Sequence, residues 1–191
     1  ENIGRLLARM SIPAMVGMIV NALYNLVDTI FIGRGVGTLG IAGLTIAFPV
    51  QIFIMAVAML IGIGAASVIS RNLGSGDRKR AYTAAGNTLS LSIIVGTIVM
   101  AIGLLLMEPL LKVLGATEAI LPYSKEYLSV IFLGLLFITF AASSNNIVRA
   151  EGRATVAMFT MIIGTRLNLL LDPIFIFGLN MGVKGAAVAT V

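Results

Sequence analysis

Gly164-Thr165-Arg166-Leu167-Asn168-Leu169-Leu170-Leu171-Asp172-Pro173-Ile174-Phe175-Ile176-Phe177-Gly178 decides how this chain is read. The stretch lies inside an apolar run from Val156 to Leu179, long enough at ~1.5 Å per residue to cross a hydrocarbon core of ~30 Å. A carboxylate is expensive in such a run, and ionisable groups inside membranes usually serve function. Asp172 is such a group, and Asn168, one helical turn earlier, shares nearly the same face. Pro173 has no N–H for the carbonyl of Leu169, so a kink is expected there, with an acceptor freed beside the carboxylate. Carboxylate, amide and loosened backbone together suit a cation or a proton. The alternative is a proline bend with a structural Asp bonded to a neighbouring helix.

Working outward, the composition agrees with a membrane setting. Of 191 residues, 59% are hydrophobic and 11% charged, with a mean hydropathy of +1.06, far from a soluble domain. The absence of His and Cys removes zinc sites, thiol chemistry and the Ser/His/Asp triad, so neither an enzyme nor a cofactor is expected. The net charge of +5 sits in short loops between apolar runs, which argues against nucleic acid and for loop charges of a polytopic protein.

Five apolar segments can be drawn, Ile12 to Ile32, Ile41 to Ile69, Ala84 to Met107, Leu128 to Val148 and Val156 to Leu179, and a sixth starts near Gly182. The fold class expected is all-α, a polytopic transmembrane helical bundle of five complete helices plus the start of a sixth. The second segment exceeds a minimal span and should tilt or project. Ile12 to Phe31 is too long for a secretory leader and carries Asp28, so it is read as a span. The chain begins without Met and stops within an apolar run, and is expected to be a piece of something longer.

Arg5, Arg9, Arg71, Arg78, Lys79, Arg80, Arg149 and Arg153 collect on one side, against Arg34, Lys112, Lys125 and Lys184 on the other. The positive-inside rule then makes the amino terminus cytoplasmic. With that orientation Asp28 lies ~8 Å below the outer end of the first segment, Asp172 ~10 Å below that of the fifth, and Thr190 ~9 Å below Lys184. Three helices thus offer polar groups at one level, as a shared site in the outer half of a bundle requires. Asn21, Asn25 and Asp28 form a stripe at i, i+4, i+7, with Tyr24 one turn from Asp28. For Asn21 interhelical bonding is the preferred role, and for Asn25 with Asp28 a functional one.

Pro49 and Gln51 combine a bend or hinge with a polar side chain in the second segment, whose Gly62, Gly64, Ala65 and Ala66 should permit close packing. The loop Arg71 to Arg80 is read as a topology signal in contact with anionic lipid headgroups. Ser143 to Asn146, followed by Arg149-Ala150-Glu151-Gly152, reads as a polar helix terminus at the interface.

Three motifs in this order resemble the multidrug and toxic compound extrusion (MATE) family. They are Asn25-Leu26-Val27-Asp28-Thr29-Ile30-Phe31-Ile32-Gly33, Arg149-Ala150-Glu151-Gly152 and Leu171-Asp172-Pro173-Ile174-Phe175-Ile176. The resemblance covers essentially the whole chain. It implies twelve helices in two six-helix lobes, with residues 1–191 forming the amino-terminal lobe, truncated within helix 6, and the second lobe absent. It also implies a secondary antiporter of the cell membrane that exports small organic, often cationic compounds in exchange for Na⁺ or H⁺. A cation or proton site in the first lobe, and the Na⁺ ligands of a sodium-coupled member, would map onto Asp28, Asn168, Asp172 and Thr190.

Arg166 departs from that pattern. It lies ~15 Å from the cytoplasmic end of its segment, its side roughly 200° around from Asn168, and pairing with an acid such as Asp28 or Asp172 would put it in the role of the coupling cation. Two other readings stand beside the antiporter. One is a lipid or lipid-linked sugar flippase of related fold, with Arg166 as a phosphate partner. The other is a half-length membrane scaffold or channel subunit that assembles with a second copy.

Overall fold

A computed structural model describes residues 3–191; the side chains at 3, 5–10, 14, 21 and 25 are not described, so Arg5, Arg9, Asn21 and Asn25 lie outside the described residues. Seven α-helices follow in order: α1 Ile3–Gly35, α2 Thr38–Gly74, α3 Arg78–Val113, α4 Leu121–Leu133, α5 Leu135–Ala150, α6 Ala154–Pro173 and α7 Gly182–Thr190. A π-helical turn, Ile174–Gly178, extends α6. Among the described residues there is no strand. Among the described residues four helices are long and apolar enough to cross a membrane, and α4 with α5, taken together as one bent span, brings the number to five. With α7 these are the five helices and the start of a sixth that the apolar segments predict.

The fourth span is broken. α4 and α5 meet at Gly134 with a bend of 55°, which the unbroken run from Leu128 to Val148 does not announce. A Cβ at Gly134 would overlap the side chain of Val191, so the missing side chain lets the segment that follows Gly182 approach the bend. The predicted kink at Pro173 also takes another form. Pro173 keeps helical dihedrals, φ −64° and ψ −31°, and the irregularity follows it, with the N–H of Leu179 donating to Ile174 O at 2.9 Å and that of Met181 to Phe175 O at 3.0 Å. The π turn widens the helix where the proline interrupts its ladder.

In hydrocarbon, side chains gain little from burial, and helices are held by close packing and interhelical hydrogen bonds. Both are present. Large apolar side chains face outward, Leu60 at 76% exposure and Leu105 at 81%, while the interior holds Ile32, Val50, Ile54, Leu111, Leu128, Phe132, Ala186 and Ala187. Phe132 of α4 lies against Gly103 of α3, occupying the space a Cβ there would need. Ser124 of α4 donates to Gly43 O of α2 at 3.0 Å. Of the small-residue patch in α2, Gly62 packs on the side chain of Asn146, whereas nothing lies within 4 Å of a Cβ at Gly64.

A buried hydroxyl seam joins α3 and α5, with the hydroxyls of Ser92 and Ser143 at 2.6 Å and Thr139 donating to Ser92 O at 3.4 Å. α5 ends at Ala150, with Gly152 at φ +80° just beyond, as the polar stretch predicts, and the same stretch also binds the bundle together. Asn145 Nδ2 donates to Ala157 O and to Thr160 Oγ1, each at 3.0 Å, and Arg149 reaches Met161 Sδ of α6 at 3.1 Å. At the other end of the bundle Glu108 of α3 pairs with Lys112 at 2.8 Å and with Lys125 of α4. The basic loop turns through Gly76, φ +82°, and Asp77 caps α3 by accepting from the N–H of Arg80 at 3.0 Å, a contact of the kind worth ~1 kcal/mol.

Candidate cation site

The residues that share a depth in the sequence share a place in the fold. α1 carries Asp28, α6 carries Asn168 and Asp172, and α7 carries Thr190. Asp28 is 6% exposed, Asn168 8% and Asp172 0%. Thr190 and Tyr24 are half-buried, and their hydroxyls meet at 3.0 Å, which ties α1 to α7. Thr190 also donates to Ala186 O at 2.9 Å. Asn168 Nδ2 donates to Ala189 O at 2.8 Å, fixing the amide on α7 and leaving its oxygen for another partner. The contacts that Tyr24 and Asn168 make with α7 bring Asp28 of α1 and Asp172 of α6 to the same end of the bundle.

Among the described residues, four buried side-chain oxygens have no hydrogen-bond partner: Asp28 Oδ1, Asn168 Oδ1, and both Oδ1 and Oδ2 of Asp172. Buried polar atoms are nearly always paired, and a carboxylate left unpaired away from water is costly. Buried carboxylates with unpaired oxygens call for positive charge beside them, supplied by a proton or a metal cation. The donor set of carboxylate, amide and hydroxyl oxygens suits a hard cation such as Na⁺. Among the described residues no group of three or more His, Cys, Asp or Glu gathers, so the residues do not fit a transition-metal centre.

Two further side chains complete the surroundings. Gln51 of α2 donates from Nε2 to the hydroxyl of Tyr127 of α4 at 2.7 Å. A half-open cavity of about 200 Å³ lies between α1, α2 and α4, lined in part by Asp28, Thr45, Phe48, Gln51 and Tyr127, and it gives Asp28 an approach from outside the bundle. Tyr127 is absent from the sequence reading because the fourth segment is drawn from Leu128. A tyrosine at the head of an apolar run is the one signal the sequence offers for it.

The remaining candidates separate from this cluster. Pro49 is exposed on α2 and Pro173 half-buried after Asp172; Asn25 lies outside the described residues. Arg166 is exposed, and among the described residues it pairs with no acid, Asp28 and Asp172 included. It does not fill the place of the cation, because it points away from the bundle interior that holds both carboxylates.

The chain is thus a bundle of apolar helices with buried, oxygen-bearing side chains from α1, α6 and α7 gathered at one level. The chain belongs to the MatE family, whose family model matches residues 13–174. Its members are multi-pass membrane transporters and not enzymes. The chain is 32% identical over 98% of its length to the FAD transporter of Shewanella oneidensis and 29% identical over 100% to the multidrug export protein MepA of Staphylococcus haemolyticus. It spans 42% of the length of each of these two curated relatives. Among solved structures, the MATE multidrug transporter DinF-BH matches with a TM-score of 0.92 and 50% identity, over 99% of this chain and 42% of that one. An outward-facing MATE transporter of the MOP superfamily matches with a TM-score of 0.92 and 39% identity, over 97% of this chain and 41% of that one.

Proposed function

We propose that residues 1–191 form the amino-terminal lobe of a two-lobe secondary antiporter that exports small organic compounds in exchange for Na⁺ or H⁺. Asp28, Asn168, Asp172 and Thr190 hold the coupling ion, and Tyr24 and Tyr127 position them. The observation that carries this reading is the group of four buried oxygens without partners. The share of the relatives' length that the chain spans supports a second lobe or a second copy as partner, and the export named for MepA supports the cargo class. The excess of Lys and Arg on one side supports a cytoplasmic amino terminus, in a plasma membrane whose lipids the outward apolar faces contact.

Coupling follows from differential binding. A cation or proton between Asp28 and Asp172 neutralises charge that otherwise repels, so the conformer in which α1, α6 and α7 converge gains stability only when the ion is bound. Release of the ion lets the three helices separate, which requires the Tyr24–Thr190 and Asn168–Ala189 contacts to loosen. Conformers that differ at the cavity beside Asp28 then bind and release substrate. The test is efflux by the full-length protein. Asp28→Asn and Asp172→Asn are expected to abolish ion-coupled export with normal membrane insertion, and unchanged export in both would remove the carboxylates from the mechanism.

A further inference from the structure

Arg166 is the charge that the cation site leaves unused. It stands at the midpoint of the Ala154–Gly178 span, twelve residues from either end, so ~18 Å of helix separates it from each interface. Every other described Lys or Arg lies in a loop or within about one turn of a helix end. The side chain is exposed, and its neighbours on the outward side, Ile163 at 64%, Leu167 at 56% and Leu170 at 66% exposure, offer no counter-charge. A guanidinium at that depth is too far from the headgroups to snorkel and too costly to face lipid. It therefore needs water or an anion beside it.

Resting on the exporter reading above, we propose that Arg166 lines the water-filled substrate path and binds an anionic group, a carboxylate or a phosphate, on the transported compound. The planar guanidinium suits both, because its fork of N–H donors matches two oxygens of either group. Its place on the helix face roughly opposite Asn168 keeps it apart from Asp28 and Asp172, so the coupling ion and an anionic substrate occupy different groups of one lobe. The substrates taken then include zwitterionic or acidic amphiphiles beside cationic compounds, and uptake of the former rests on this side chain.

The experiment uses the full-length protein in proteoliposomes and two probes, the anion carboxyfluorescein and the cation ethidium. Wild type, Arg166→Lys and Arg166→Leu are compared, with thermal melting as the check on folding. The expected result is a rise of about tenfold in KM for carboxyfluorescein in Arg166→Leu, a smaller rise in Arg166→Lys, and ethidium transport unchanged. Equal loss of both probes overturns the inference in favour of an acidic partner elsewhere in the protein. Unchanged transport of both, with loss of co-purified anionic phospholipid in Arg166→Leu, overturns it in favour of a bound lipid. Wild type that moves ethidium but not carboxyfluorescein overturns the inference and leaves the exporter reading standing, whereas wild type that moves neither defeats that reading itself.

Discussion

Replacing Asp172 by Asn should make the ion-free protein more stable while removing its response to Na⁺. Asp172 is 0% exposed, and both of its oxygens lack partners. Asp172→Asn keeps the shape, removes one of two buried carboxylates and supplies an amide N–H₂ beside acceptors that have none. A buried polar atom left unpaired costs ~1–3 kcal/mol, so relief of one or two such atoms should raise stability by about that amount in sodium-free buffer above neutral pH. Wild type behaves in the opposite way. A ligand that binds only the folded state adds ~2.7 kcal/mol at 100 times its dissociation constant, and the variant, which has lost an anionic donor, should lose most of that gain. The assay is thermal unfolding of the detergent-solubilised full-length protein in NaCl or in choline chloride at equal ionic strength. Wild type should melt higher in NaCl, and Asp172→Asn should melt higher than wild type in choline and barely respond to the exchange of salts. A variant less stable than wild type in choline, or one with an undiminished sodium response, would refute the claim that Asp172 is held as an uncompensated charge.

Three further outcomes follow from the contacts. Tyr24→Phe removes the 3.0 Å bond to Thr190 but leaves Thr190 bonded to Ala186; it should weaken Na⁺ binding several-fold, as measured by titration, without loss of folding. Gly103→Val drives a side chain into the ring of Phe132 and should cost ~1–3 kcal/mol in reversible detergent unfolding, with Phe132→Leu in the same protein recovering part of it. Ser143→Ala breaks the buried 2.6 Å contact with Ser92 and should cost ~0.6–1.7 kcal/mol in the same assay.

The sequence makes some of this fold legible because a bilayer imposes simple rules. Runs of apolar residues long enough to span it place the helices, and counting residues from their ends places Asp28, Asp172 and Thr190 at one depth, where the structure finds them together. Other features leave no mark of that kind. The bend at Gly134 lies within an unbroken apolar run, and a glycine there is as compatible with close packing as with a break; the structure shows both, with Val191, far along the chain, packed against it. Ser92, Thr139 and Ser143 read as scattered hydroxyls until α3 and α5 are paired. Tyr127 joins the site through a bond to Gln51, seventy-six residues away, which no local pattern encodes. Pro173 predicts a bend at its own position, but it keeps helical dihedrals and the irregularity falls in the π turn that follows. Arg166 is conspicuous in the sequence, yet only the packing of α6 shows that it turns away from the carboxylates.

The most direct test of the account is equilibrium binding of ²²Na⁺ to the purified full-length protein across a pH series, with Asp172→Asn and Asp28→Asn alongside. With Na⁺ as the coupling ion, the account predicts saturable binding of one ion per first lobe, competed by protons and lost in both variants. Binding that persists undiminished in Asp28→Asn and Asp172→Asn would contradict it.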